Sequence, residues 1–197
     1  MEENRSRANR RRRKKRRKKI IRRLVVAVIF LLAVVIAVVL WMNSSRQVEE
    51  GVEFLSQGNY EQAEAKFLEA IEKDKSPDEA YRGLGMALWE QQDYEGAKDA
   101  FFNALENDAE PTGTIYNFLG NCESELGNWE EAIQYYEKGI ASEDCSDDMM
   151  QEMLFNEIAA YEKLGDYESA KVKLEAYTEK YPDDEKAAKE AEFLETR

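Results

Sequence analysis

Histidine is absent from this sequence, cysteine occurs twice and proline three times in 197 residues. Without histidine the chain lacks the commonest general base and the commonest metal ligand. Cys122 and Cys145 are too few for a disulfide framework and are expected to be separate free thiols. No strand pattern is evident, and no Gly-rich phosphate loop follows one. Carboxylates abound but are scattered over helix surfaces. The chain is therefore not expected to be an enzyme or to hold a cofactor or a metal. The acidic segment from Ser142 to Asp148 lacks the spacing of a calcium loop and is expected to be solvated.

Charge is also missing, but in one place only. Leu24 to Met42 reads LVVAVIFLLAVVIAVVLWM, with no charged residue, no Gly and no Pro. At about 1.5 Å per residue this run spans roughly 28 Å as a helix, close to the ~30 Å hydrocarbon core of a bilayer. It separates segments of opposite sign. Residues 1–23 hold 14 basic and 2 acidic side chains, a net of +12, whereas residues 43–197 hold 14 basic and 39 acidic, a net of −25. Basic residues beside a membrane helix stay on the cytoplasmic side. The expected topology is a basic cytoplasmic arm over 1–23, a transmembrane helix over 24–42 and an extracytoplasmic C-terminal domain, as in a bacterial plasma membrane. The run exceeds a secretory h-region, and no small-x-small cleavage site or lipidation Cys follows it. An uncleaved signal anchor is expected. The arm is read as a topology signal touching anionic lipid, with no nucleic-acid role.

Beyond Arg46 a turn recurs: Gly58-Asn59-Tyr60, Gln92-Asp93-Tyr94, Gly127-Asn128-Trp129 and Gly165-Asp166-Tyr167. Ala63, Ala97, Ala132 and Ala170 each follow the turn aromatic by three, and Phe67, Phe101, Tyr136 and Leu174 lie four further on. This predicts a pair of antiparallel helices, A and B, per copy. The turn Gly suits the left-handed end of helix A, and the Asn or Asp suits the cap of helix B. Asn59 with Gln62, and Asn128 with Glu131, have capping-box spacing. Gly51, Gly85 and Gly120 recur in phase within helix A. A mid-helix Gly costs about 1 kcal/mol against Ala, so its recurrence predicts a close approach of helix B.

Tyr81, Leu84, Gly85, Leu88, Ala97, Phe101 and Ala104 in the second copy resemble the tetratricopeptide repeat. The third copy follows with Tyr116, Leu119, Gly120, Ala132, Tyr136 and Gly139, the last where Ala is usual. The fourth has Leu154, Tyr161, Ala170, Leu174 and Pro182 but departs at Ile158, where a small residue is expected. The first is degenerate in helix A, with Gln47 and Glu50, yet regular in helix B, with Ala63, Phe67 and Ala70. The resemblance implies an all-α fold: an α-solenoid of about four helix-turn-helix repeats over 44–182 (44–77, 78–111, 113–146 and 151–182), closed by a capping helix over 183–197, behind the N-terminal transmembrane helix.

It also implies a function by binding. In the family, helix A side chains line a concave surface that receives a peptide or partner protein. Carried over, the lining comprises Arg82, Met86 and Trp89, then Asn117, Asn121 and Ser124, then Phe155 and Asn156. Asn117 and Asn121 are one turn apart, able to bracket an extended backbone. A basic carboxylate clamp is not present, since Val48, Val52, Asn117 and Phe118 stand there and Arg82 is the one base. With −25 on the domain, a neutral or basic partner and salt-slowed association are expected. The expected role is a membrane-anchored scaffold or adaptor. The alternatives are a self-assembling structural membrane protein, for which the span offers no Gly-x3-Gly, and a cytosol-facing tethered adaptor of a chaperone or translocation system.

Overall fold

The computed structural model describes residue 26 and residues 28–36, 46–74 and 76–197. The chain divides into two compact units, Met1–Ser45 and Arg46–Arg197. In the first, residues 28–36 are helical and exposed. The basic arm lies outside the described residues, as does much of the span expected over 24–42. Among the described residues no helix is long and apolar enough to cross a membrane.

The second unit is a run of helices. Residues 46–56 form α1. There follow α2 (Tyr60–Glu72), α3 (Pro77–Glu90), α4 (Tyr94–Glu106), α5 (Gly113–Glu125), α6 (Trp129–Ile140), α7 (Asp147–Leu164), α8 (Tyr167–Lys180) and α9 (Glu185–Glu195). From α2 onward each helix packs on the next, and α5 also packs on α7. Odd-numbered helices up to α7 are therefore the A helices, and even-numbered ones are the B helices.

The four turns are built alike. Gly58, Gly127 and Gly165 have φ of +73°, +81° and +75°, and Gln92 takes the same conformation at +63°. The next residue's N–H reaches five residues back in every copy, as Asn59 to Phe54 O at 2.9 Å, Asp93 to Leu88 O at 2.9 Å, Asn128 to Glu123 O at 2.8 Å and Asp166 to Tyr161 O at 3.0 Å. This is the bond that closes a left-handed helix end. The expected capping boxes do not form at Asn59 or Asn128, neither of which makes a side-chain cap. Their amides turn backward instead, to Gln57 Oε1 at 3.2 Å and Glu123 Oε2 at 2.7 Å. Asp93 and Asp166, which can only accept, do cap Gly96 N–H and Ser169 N–H.

Gly51, Gly83, Gly85 and Gly120 of the A helices each receive an aromatic ring from helix B. A Cβ on Gly85 would lie 2.8 Å from Phe101 Cζ, and one on Gly120 would lie 2.5 Å from Tyr136 Cε1. A Cβ on Gly51 would likewise lie 2.7 Å from Phe67 Cε1. Gly139 answers a different neighbour, because a Cβ there would meet the Met153 sulfur at 2.5 Å. The fourth copy solves the same packing with sizes exchanged. Buried Ile158 replaces the glycine, and Leu174 replaces the ring.

Two carboxylates are buried in this scaffold. Glu157, 1% exposed, pairs with Lys173 Nζ at 2.5 Å, and Glu137 lies 3.7 Å from the same ammonium. Glu123 accepts from Asn128 and lies 3.7 Å from Lys98 Nζ. The acidic segment expected to be solvated is tied to the scaffold at one point, where Gly113 N–H donates to Asp144 Oδ1 at 2.8 Å. At the end of the array Gln151 and Tyr177 both bond Asp184, and Asp184 also caps α9 through Lys186 N–H. Glu162 of α7 meets Glu190 of α9 carboxyl to carboxyl, with Glu162 Oε1 buried. Burial first, then the bond to Glu190, push the Glu162 carboxyl up to about 7, against the weaker pull of Lys163.

Two outcomes follow for stability. Gly120→Ala drives a methyl into the Tyr136 ring and is expected to destabilise by roughly 1–3 kcal/mol, read as a lowered urea midpoint with unchanged slope. Adding Tyr136→Leu is expected to recover part of that loss, giving a non-additive double-mutant cycle. The second outcome concerns pH. A carboxyl whose folded pKa is raised stabilises fully below its unfolded value, near 4.3, and that contribution is lost as pH rises through the folded value. Thermal midpoints are therefore expected to fall between pH 5 and pH 8, and Glu162→Gln to flatten the fall. The residual slope belongs to Glu157, whose carboxyl burial also raises, with Lys173 opposing.

Candidate functional site

The hydrophobic stripes of the A helices face the B helices, so their outer positions form one continuous surface. At the outer stripe of α3, Arg82 is exposed and Met86 is half-buried against the second core cluster. Trp89 lies a turn further along. Its ring stands 5.0 Å from Tyr94 and 5.9 Å, edge-on, from Phe118. Phe118 in turn stacks on Phe101 at 5.0 Å, so Trp89 is anchored through the aromatic core.

Helices α5 and α7 supply the polar part. Asn121 Oδ1 accepts from Tyr136 Oη at 2.8 Å and from Asn156 Nδ2 at 3.1 Å. Its carbonyl is therefore committed within the protein, and the Asn117–Asn121 pair does not present two equivalent amides. Asn117 Nδ2 donates to Glu152 Oε1 at 3.3 Å, while Asn117 Oδ1 is buried without a donor. Both interactions join residues 35 apart, one repeat to the next. Burial pushes the Tyr136 hydroxyl well up, so it remains a neutral donor.

Two clefts open on this surface. Trp89, Asn121, Ser124, Glu125, Tyr136, Asn156 and Ala159 line one of about 220 Å³. Asp148, Gln151, Glu152, Phe155, Asn156, Tyr177, Asp184 and Lys186 line the other, of about 240 Å³. Asn156 belongs to both. Phe155 packs edge-on against Tyr177 at 5.7 Å. The structure thus gathers Trp89, Asn121, Ser124, Phe155 and Asn156 around two adjoining clefts, whereas Arg82, Met86 and Asn117 line neither. A larger, open depression of about 640 Å³ lies at the first turn, lined by Gly58, Asn59, Tyr60, Glu61, Gln62, Glu90 and Gln91. It belongs to the edge of the solenoid and contains none of the A-helix stripe.

Sequence reasoning did not find Glu125, Tyr136, Gln151, Glu152, Tyr177 or Asp184. The signal for Glu152 is its offset from Asn117, the same 35 residues that relate Asn121 to Asn156. Tyr177 and Asp184 become linked only when α9 folds back. Burial and then the Asp184 bond push the Tyr177 hydroxyl up to about 12, while that hydroxyl, with Lys186 N–H, holds the Asp184 carboxyl below its usual value. The surface carries no reactive thiol. Both cysteines are unbridged, and burial raises the Cys122 thiol to about 12. No cluster of three or more metal-ligating side chains occurs among the described residues.

The fold has many solved counterparts. The crystal structure of YrrB, described as a TPR protein with an unusual peptide-binding site, superposes with a TM-score of 0.65 at 24% identity, over 75% of this chain and 74% of that one. MamA residues 41-end from Desulfovibrio magneticus RS-1 superposes with a TM-score of 0.68 at 17% identity, over 78% and 84%. PilF of Pseudomonas aeruginosa gives 0.58 at 21%, over 77% and 67%. At these identities the likeness is one of fold. No curated protein sequence matches significantly. Family models described as tetratricopeptide repeat match residues 48–113 and 84–148, more than half of the chain together, and a further one matches 152–184. The repeated turns, the ring-in-hollow packing and these matches agree: the chain belongs to the tetratricopeptide repeat family, an all-α solenoid of a kind that serves as a protein-interaction scaffold.

Proposed function

We propose that the protein is a membrane-anchored scaffold that binds a peptide or partner protein along the A-helix surface of its repeats, and that it is not an enzyme. The observation that carries the binding part is the pair of adjoining clefts at Asn156, floored by Trp89 and Phe155 and edged by polar groups. They lie where a solenoid offers an extended concave surface. YrrB, a structural counterpart, is itself described as having a peptide-binding site. The groove residues are Arg82, Met86, Trp89, Asn117, Asn121, Ser124, Phe155 and Asn156.

The anchoring part rests on the uncharged run Leu24–Met42 and its +12 flank. The large apolar side chains described there are exposed, from 45% at Val34 to 71% at Phe30, and a bilayer is the environment that suits them. The N-terminus lies in the cytoplasm and the repeats outside, in the plasma membrane of a bacterium. The repeats run from about residue 44 to 182, with 183–197 as the cap.

Two measurements test this. External protease on intact cells is expected to remove the C-terminal domain, and full protection overturns the orientation. Ser124→Arg fills the first cleft from its half-buried wall. In-cell crosslinking is expected to lose the wild-type partners in this variant while its melting temperature holds. Capture of the same partners in equal amount overturns the groove assignment.

A further inference from the structure

The open hydrogen-bonding capacity of the groove is lopsided. The Asn121 carbonyl is satisfied from within by Tyr136 and Asn156. The Asn117 N–H group is spent on Glu152, leaving Asn117 Oδ1 buried with no donor. Glu125, Asp148, Glu152 and Asp184 line the two clefts, facing one cation, Lys186.

Resting on the groove reading above, we infer that the occupant is an extended protein segment bearing Lys or Arg, with one cationic head group bound at the Glu152 carboxylate in the second cleft. The chemistry fits on three counts. An ammonium or guanidinium brings three or five donors and no acceptor, the complement of what the groove leaves open. The apolar stem of such a side chain can lie along Phe155 at the cleft wall, and aromatic faces attract the head group itself. The −25 of residues 43–197 draws basic segments in and turns acidic ones away.

The test uses the full chain in neutral detergent at physiological salt and three blocked octapeptides that alternate Ala with Lys, norleucine or Glu. Binding is read by calorimetry. The Lys peptide is expected to bind and the other two to bind at least tenfold more weakly. Glu152→Gln removes the charge at the head-group site and is expected to weaken the Lys peptide roughly tenfold. Glu168→Gln removes the same charge from an exposed position on α8 and is expected to leave its affinity within twofold. Equal weakening by the two variants overturns the inference in favour of bulk charge. If the norleucine peptide binds as tightly as the Lys peptide and Ser124→Arg abolishes both, the cation reading falls and the groove stands. If no peptide binds, or Ser124→Arg changes nothing, the inference falls together with the groove.

Discussion

The contact on which the solenoid depends is a helix B ring set into the hollow of a helix A glycine. Three copies make it, Phe67 on Gly51, Phe101 on Gly85 and Tyr136 on Gly120. Glycine inside a helix is unfavourable by about 1 kcal/mol against Ala. Here the ring occupies the space of the missing Cβ, so the two axes approach closely and the ring is fully enclosed, with exposures of 0% for Phe67, 1% for Phe101 and 1% for Tyr136. That enclosure sets the rotation of each A helix about its own axis. It thereby decides which residues point outward: Met86 and Asn121, each next to its glycine, fall on the open face. The fourth copy keeps the rotation by exchanging sizes, Ile158 against Leu174, and its outward residues remain in line with those of the third.

In the third copy the same ring joins core to groove. Tyr136 fills the Gly120 hollow with its carbon edge and reaches the open face with its hydroxyl, where it fixes Asn121 and through it Asn156. A phenylalanine would fill the hollow equally well but would leave the Asn121 carbonyl with half its donors. The polar floor of the groove is therefore held by the packing of the core rather than by the groove side chains alone. On the opposite side Glu157 and Glu123 are held by Lys173 and Lys98, so negative charge that folding has to bury is matched locally. The carboxylates of the clefts have far less such company.

The architecture was legible in sequence because its determinants are short-range and repeat. The left-handed turn needs a Gly or a tolerated substitute, and the hollow needs a Gly paired with a ring sixteen residues on. The fourth-copy departure at Ile158 was visible as well, though its compensation by Leu174 is a matter of volume across two helices. What sequence spacing did not resolve is where amide and hydroxyl side chains spend their hydrogen bonds. Asn59 and Asn128 stand at cap positions, yet their N–H groups find acceptors behind them in Gln57 and Glu123. Asn121 stands at an outward position, yet its carbonyl is claimed by a residue of its own repeat and one of the next. Such choices depend on rotamers and on neighbours a repeat away. The Glu152 partner of Asn117 is visible in hindsight as a 35-residue offset, but only once the repeats are stacked. The span over 24–42 rests on composition and charge flanks, since the described residues cover only part of it.

The last helix links the end of the array to the binding surface. Asp184 caps α9 through Lys186 N–H and, with its other oxygen, accepts from Tyr177 and Gln151. Tyr177, Gln151 and Asp184 are also walls of the second cleft. The residues that seat the cap are thus the residues an occupant of that cleft touches. α9 therefore does more than pack on α8: Asp184 at its cap and Lys186 in its first turn are walls of the second cleft.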